Sequence, residues 1–395
     1  MTAEKDILID EILNRSVDQI VDKDHLLQKL RSGEKLIVKL GIDPTSPNLH
    51  IGRAIPILRL KRFQKLGHQV VLVIGDFTAV IGDSSDKNSE RPMLSREQVK
   101  ENLKTYIEQI SKILDIEKTQ FRHNSEWLEK IPYLELCEQA DVFSVNDFIS
   151  RSNIKDRLDK GSRVSLREVM YPLMQGYDSV ALKADVELGG SDQWFNLLAG
   201  REMQRFYKQE PQDIITNPLI NGVDGRKMSS SWGNTINLTA EPKDMFGKVM
   251  SMQDEMIITY FEHCTETPME QVREYEKQLK SGEISPRDLK DILAFEITEL
   301  YWGEGGAQEG RDYFDKVIRE KSVPEDITEI TVGSKNIVDV LVESKMAKSK
   351  SDARRLIEQK GVKVNGNVVN SAEENVEDGA VIQKGARHFT KVIHS

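Results

Sequence analysis

Three patterns predict an open α/β parallel-sheet domain followed by a helical domain and a small α+β domain. Residues 36–74 read as strand, helix, strand. Residues 242–320 place apolar side chains mostly at helical spacing, and residues 351–369 hold a basic helix followed by a tight hairpin. A chain of 395 residues is long for one core, so several domains are expected, with boundaries at 1–241, 242–330 and 334–395.

The elements follow in order. Residues 36–42 form a short apolar run, read as a buried strand. Asp43-Pro44-Thr45-Ser46-Pro47-Asn48 is turn chemistry, with Asn48 as an N-cap candidate. From Ile51 to Leu66 the apolar residues Ile55, Leu58, Leu60, Phe63 and Leu66 keep helical spacing, and Gly67 closes the run. Residues 69–74 are continuous and β-branched, as suits a parallel strand covered on both faces. In such a β-α-β sheet, ligands are expected beyond the carboxyl ends of the strands. Residues 94–115 and 124–160 are helical and charged, and an apolar, glycine-containing stretch spans 164–199 with a strand near 186–188. Residues 218–226 carry two turn dipeptides and read as a hairpin or tight loop. Residues 288–301 and 312–319 are helical, and residues 323–333 break the rhythm as a linker. The tail adds a helix over 351–359, closed by Gly361, and a hairpin over 362–369 turning at Asn365-Gly366.

Composition excludes some classes. No apolar run approaches the roughly 20 residues that span a bilayer, and the acidic opening residues lack the layout of a signal peptide. Two cysteines, Cys137 and Cys264, cannot build a disulfide framework, and neither has metal-ligand spacing around it. A reducing cytoplasm is expected, with no protein metal site. The net charge of −10 opposes wrapping nucleic acid over the whole surface. The segment from Ser334 onward nevertheless carries 11 Lys and Arg against 8 Asp and Glu, a net +3. That suits either a local polyanion site or a solvated charged face.

Several motifs carry chemistry. His50-Ile-Gly-Arg53 lies at a strand-to-helix turn, where free backbone N–H groups and the helix dipole favour phosphate. There His50 can donate to a phosphoryl oxygen, Gly52 leaves room for a base, and Thr45 adds a hydroxyl. Lys227-Met-Ser229-Ser230-Ser231 offers an ammonium and hydroxyls on a loop able to close over a triphosphate. Alone, the first motif reads more often as a cap or surface residue and the second as a polar surface loop; in this order they describe a divided ATP-phosphate site. Tyr171, Gln175 and Asp178 stand four and three apart and share a helix face, able to converge on a small ligand bearing an ammonium and a hydroxyl. Gly189-Gly190-Ser191-Asp192-Gln193 permits close backbone approach, with Asp192 as a ribose acceptor. Asp83, after Gly82, is a turn acid or an ammonium partner.

Together these residues resemble a class I aminoacyl-tRNA synthetase over nearly the whole chain. His50–Arg53 is similar to the family's His-Ile-Gly-His motif and Lys227–Ser231 to its Lys-Met-Ser-Lys-Ser loop. Tyr171, Gln175 and Asp178, with Gly-Gly-Ser-Asp192-Gln193-Trp, resemble the tyrosyl members. The tail resembles the S4 RNA-binding domain of bacterial relatives. The resemblance implies a Rossmann-like catalytic domain, a helical anticodon-binding domain and an S4-like domain. It implies tyrosine activation by ATP, transfer to tRNA(Tyr), and Mg2+ entering with ATP. Asp83, Tyr171, Gln175 and Thr78 would meet the ammonium, Asp178 the phenol, Gln193 the carboxyl end, and Gly190 and Asp192 the ribose. The Gly41–Asp43 backbone would line the α-phosphate, while Thr45, His50 and Lys227, with Ser229 and Ser230, would face the departing phosphates. Lys348, Lys350, Arg354, Arg355 and Lys363 would hold tRNA, and a homodimer would form around residues 115–165. Three departures stand out. Arg53 replaces the second histidine, its guanidinium able to engage ribose or phosphate, and Ser230 replaces the second lysine. Lys39 replaces a tyrosine that contacts the phenol, and it either faces that group or lies elsewhere. A tryptophan-specific relative would lack Asp178 and the S4-like tail. Arg53 keeps open a protein that binds RNA without catalysis, and tyrosine-dependent ATP–pyrophosphate exchange separates the two.

Overall fold

A computed structural model of the chain describes residues 2–83, 93–319, 327–385 and 388–394. By internal contacts the chain divides into two units, Met1–Glu241 with Lys248–Gly303, and Pro242–Gly247 with Glu304–Ser395.

The first unit is built on a six-stranded sheet. Its strands are β1 (Gln19–Val21), β2 (Ile37–Ile42), β3 (Gln69–Ile74), β4 (Thr119–His123), β5 (Val186–Gly190) and β6 (Asp213–Asn217), in the spatial order β1-β6-β5-β2-β3-β4. All pairings are parallel except β1 with β6. From β2 the chain winds outward through β3 and β4, then returns to β5 on the opposite side. The sheet therefore has a switch point between β2 and β5, where the two connections diverge and leave a crevice at the strand ends. Burial of Val38, Leu40, Val70 to Ile74, Val186 and Leu188 explains why these strands are mostly apolar, β2 and β5 each interrupted by one charged residue, Lys39 and Glu187. By contrast β4 is an edge strand with polar residues facing outward, so Thr-Gln-Phe-Arg-His gives no strand pattern in the sequence.

The helix Ile51–Lys65 connects β2 to β3 as expected, followed by Gly67 in the left-handed region. Its cap is His50 rather than Asn48. The reason lies in tertiary pairing. Residues 49–51 run extended against 236–238, with Leu238 N–H donating to Leu49 O and Ile51 N–H to Ile236 O, each at 2.9 Å, so the helix begins only after His50. Asn48 instead accepts from Thr239.

The expected division at residue 241 is not where contacts separate the chain, because residues 248–303 belong to the first unit. Arg15, buried, donates to the carbonyls of Phe261, Glu262, Thr265 and Thr267. Arg59 in turn holds the carbonyls of Ile12, Arg15 and Ser16. Helix Ile257–Cys264 is thereby fastened to the amino-terminal helix Thr2–Asn14 and to Ile51–Lys65, with Tyr260 and Phe261 fully buried.

In the second unit, β7 (Glu329–Val332), β8 (Val362–Val364), β9 (Asn367–Val368), β10 (Val381–Lys384) and β11 (His388–His394) form a sheet in the order β7-β11-β10-β8-β9. Helices Ile337–Glu343 and Lys350–Glu358 pack their apolar side chains, among them Leu341, Ala353 and Ile357, into a core with Val362, Ile382 and Val392. The turn between β8 and β9 places Asn365 and Gly366 at φ 50° and 82°, the Asn-Gly hairpin expected. The linker expected over 323–333 lies outside the described residues up to 326. Beyond them, residues 329–332 are strand, because β7 pairs in parallel with β11.

Candidate functional site

A cavity of about 540 Å³ opens at the carboxyl ends of β2 and β5. Its walls include Gly41, Asp43, Thr45, His50, Gly52, Arg53, Thr78, Asp83, Tyr171, Gln175, Asp178, Gly190, Asp192, Gln193, Lys227, Ser229 and Ser230. Residues separated by almost two hundred positions thus share one space. The pairing of 49–51 with 236–238 explains how, because it ties the start of the first-motif helix to the segment that leaves the Lys227 loop. A methyl group on Gly52 would sit 3.1 Å from His50 Nδ1 and 3.2 Å from Met228 Sδ, so the motifs meet around this glycine.

The loop itself is a tight hairpin. Gly222 N–H donates to Arg226 O, Gly225 turns with φ 83°, and Met228 N–H donates to Ile220 O. Asn234 organises it from behind: its amide donates to Lys227 O at 3.1 Å and its carbonyl accepts Ser229 N–H at 2.9 Å. Lys227 Nζ stands 3.8 Å from Asp192.

At the end of the cavity formed by the first motif, His50 is buried and its Nδ1 has no hydrogen-bond partner. Burial, with the charge of Arg53 beside it, pushes its ring down to about 3. The imidazole is therefore neutral near pH 7 and carries one N–H to offer. Arg53 supplies the permanent charge, its guanidinium reaching Thr45 Oγ1 at 3.3 Å and Asp43 O at 3.5 Å.

At the other end the helix Leu166–Leu182 turns Tyr171, Gln175 and Asp178 into the cavity. Ser165 and Glu168 form its capping box. Asp43, assigned above to the nucleotide, directs its carboxylate here: Thr78 Oγ1 and the Tyr171 hydroxyl donate to it at 2.7 and 2.8 Å. Gly75 is required beside it, since a Cβ there would overlap Asp43 Oδ1 at 1.9 Å. Asp178 accepts from Trp127 Nε1 at 2.7 Å and from Asn124 at 3.4 Å. Burial pushes its carboxyl up to about 7, while Lys39 and these two hydrogen bonds pull the other way. Tyr171 is held protonated by burial and by Asp43. Across the cavity, Gln193 donates to Asp83 at 2.9 Å.

Lys39 is the exception among the sequence-derived residues. It does not line the cavity but lies beneath it, 1 % exposed, paired with Glu187 at 3.1 Å and donating to Gln175 O at 3.2 Å. The alternation of β2 turns its side chain to the face opposite Leu40, which lines the cavity. Asn124, Trp127, Asn234 and Glu187 were missed from the sequence. Only Glu187 carried a signal: one acid inside an apolar strand, matching the one lysine inside another.

The tail residues belong to the second unit. Lys348, Lys350, Arg354 and Arg355 are exposed and Lys363 half-buried, while Ala353 and Ile357 turn into the core. Lys350 pairs with Asp339 and Arg355 with Asp352. Among the described residues no group of three or more His, Cys, Asp or Glu is placed to hold a metal ion, and no helix is long and apolar enough to cross a membrane. Cys137 is exposed and Cys264 buried, both as free thiols.

A switch-point crevice with a helix-start motif on one side and a lysine–serine loop on the other defines a class of protein. Residues 31–318 match the family of class I tRNA synthetases (W and Y), and residues 336–382 match the S4 domain. The chain belongs to this synthetase family. It is 44 % identical to the Tyrosine--tRNA ligase of Thermotoga maritima over 99 % of its length and 98 % of that protein. It is equally identical to that of Carboxydothermus hydrogenoformans, over 97 % of each chain. Among solved structures, the tyrosyl-tRNA synthetase complexed with L-tyrosine from Archaeoglobus fulgidus shares the fold. That match has a TM-score of 0.63 at 22 % identity, over 79 % of this chain and 100 % of that one.

Proposed function

We propose that the chain is a tyrosine–tRNA ligase. It joins L-tyrosine to ATP with release of pyrophosphate, then passes the tyrosyl group to the 3′ end of tRNA(Tyr). The observation that carries this reading is one cavity with two chemically different ends, a cationic end at His50, Arg53 and Lys227 and a buried polar end at Asp178 and Tyr171. In the first step a tyrosine carboxylate oxygen attacks the α-phosphorus, and the bond to the bridging oxygen of pyrophosphate breaks. No protein nucleophile is needed, so catalysis rests on positioning and on charge stabilisation. Thr45, neutral His50, Arg53 and Lys227 face the departing pyrophosphate, with Ser229 and Ser230 on the closing loop. Gly52 leaves space for the base, the Gly41–Asp43 backbone runs beside the α-phosphate, and Gly190 and Asp192 hold the ribose. Tyrosine's ammonium meets Thr78, Asp83, Tyr171 and Gln175, with the Asp43 carboxylate close behind. Its carboxyl end meets Gln193 and its phenol meets Asp178. Mg2+ arrives with ATP. In the second step a hydroxyl at the tRNA terminus attacks the adenylate carbonyl and AMP leaves.

Exposed Lys348, Lys350, Arg354 and Arg355, with Lys363, contact tRNA phosphates. A homodimer forms through the apolar surface that includes Tyr133 (82 % exposed), Leu134 (70 %) and Val145 (72 %), since exposure on this scale suits an interface. The enzyme works in the cytoplasm. The deciding experiment is ATP–pyrophosphate exchange on the purified chain. Exchange that depends on L-tyrosine and is not supported by L-tryptophan is expected; none from folded protein would overturn the proposal.

A further inference from the structure

Beneath the cavity lies a charge pair that no step above uses. Lys39 of β2 and Glu187 of β5 occupy facing register positions on neighbouring parallel strands. Both side chains are 1 % exposed and their charged atoms stand 3.1 Å apart. Taking two charges out of water is costly, and a well-packed apolar pair would serve stability as well or better. The surroundings indicate what the pair does instead. Glu187 Oε1 accepts from Gln175 Nε2 at 3.2 Å, and Oε2 accepts from Ser179 Oγ at 3.1 Å and from the Gln212 amide. Lys39 donates to the backbone carbonyl of the same Gln175.

We infer that Glu187, held in place by Lys39, is a positioning residue that fixes the Gln175 amide with its oxygen toward the amino-acid ammonium. This rests on the reading of the site given above. A carboxylate has no hydrogen to donate, so the end of the amide turned to Glu187 must be the NH2 group. The carbonyl oxygen then points the other way, into the cavity that Gln175 lines. An acceptor is what an ammonium group needs. Were the amide free to turn, half of its orientations would present N–H to a cation. Lys39 pairs with the Glu187 carboxylate at 3.1 Å, and its second hydrogen bond holds the Gln175 backbone at the same height. This also accounts for lysine at a position whose side chain cannot reach the cavity.

Two double variants isolate the acceptor. Lys39→Met/Glu187→Gln removes both charges but keeps an amide oxygen able to accept from Gln175; Lys39→Met/Glu187→Met removes the acceptor as well. Calorimetry with tyrosinol, which has the ammonium, and with 3-(4-hydroxyphenyl)propionate, which lacks it, reads the effect. The Gln variant, which shares the loss of Lys39, is the reference for both ligands. The Met variant should lose ~10-fold in tyrosinol affinity, the size of one hydrogen bond to a charged group, and keep its affinity for the propionate. In exchange assays its KM for tyrosine should rise while kcat holds. Equal tyrosinol affinity in the two variants would overturn the inference, and so would parallel loss of both ligands in the Met variant, which marks a packing role. Should the Met variant lack a cooperative thermal transition, the unaltered chain crystallised with tyrosinol decides. The Gln175 amide must then stay on Glu187 with its oxygen about 3 Å from the ligand nitrogen; a side chain swung away overturns the inference. Failure of the unaltered chain to bind tyrosinol would instead overturn the reading of the site.

Discussion

Asp178 carries the most chemistry per atom in this molecule. It is buried on the helix Leu166–Leu182, holds donors from Trp127 and Asn124, and lies within the field of Lys39. Asp178→Ala should reduce the preference for tyrosine over phenylalanine by ~10- to 100-fold, since a phenol left without its acceptor in a buried site costs that much. Exchange kinetics with the two amino acids checks this, and an unchanged ratio would remove Asp178 from the specificity argument. The same carboxyl makes stability depend on pH. Its folded value, about 7, lies above the ordinary 3.8, so between these the folded state holds the proton more tightly than the unfolded chain. The contribution is complete below about pH 4 and is lost as pH rises through 7, opposite to a salt-bridged carboxylate. Thermal unfolding of Asp178→Asn should lack that decline. Arg53 is the second residue to test. With His50 neutral, Arg53 and Lys227 are the cations at that end of the cavity. Arg53→Ala should raise the KM for ATP by ~10-fold and leave tyrosine affinity unchanged. Steady-state exchange at varied ATP measures this, and an unaltered KM would show that the guanidinium serves only to brace Thr45.

At the scale of elements, the site depends on how two segments distant in sequence are clamped. Helix Ile51–Lys65 and the Lys227 loop were both legible, because each carries its own local signature: a turn followed by helical spacing in one, paired turn dipeptides in the other. The clamp between them was not legible. Residues 49–51 pair with 236–238 through backbone atoms, and backbone pairing across almost two hundred residues leaves no mark on residue type. For the same reason the cap moved from Asn48 to His50. Asn234 is the element's pin, with hydrogen bonds to Lys227 O, Ser229 N–H and Asp224. Asn234→Ala should loosen the loop, lowering kcat of adenylate formation by ~10-fold and quickening proteolytic cleavage near Lys227. Tyrosine binding, made elsewhere in the cavity, should persist. If kcat and cleavage both stay at the level of the unaltered chain, Asn234 does not hold the loop. Helix Leu166–Leu182 shows the opposite case. The spacing of Tyr171, Gln175 and Asp178 set their common face, and the structure turns that face into the cavity.

For the whole molecule, the carboxyl-terminal module has its own core, formed by Leu341, Ala353, Ile357, Val362, Ile382 and Val392. Removing residues 334–395 should spare tyrosine-dependent exchange and impair tRNA charging. Assays of both steps on the truncated chain check this, and equal charging would show that the module is not a tRNA site. Within it, Arg354→Ala with Arg355→Ala should flatten the salt dependence of tRNA binding by about two units of slope if both side chains meet phosphates. Filter binding across a salt series measures that slope. The six-stranded sheet was only partly legible: β2 and β3 announced themselves as apolar runs and β5 as a short strand before Gly189-Gly190, whereas β4 lies at an edge and β1 has three residues.

The sequence by itself determined the β-α-β start of the sheet, the helix that opens at His50-Ile-Gly-Arg53, the turns before Lys227, the shared face of Tyr171, Gln175 and Asp178, and the hairpin at Asn365-Gly366. Each is a local property, set by periodicity or by the backbone preference of one or two residues. Only the tertiary structure decided that Asp43 turns to Thr78 and Tyr171, that Trp127 and Asn124 hold Asp178, and that Lys39 lies under the cavity on Glu187. These are pairings between side chains brought together by strand order. A lysine in an apolar strand cannot show its partner until the neighbouring strand is known.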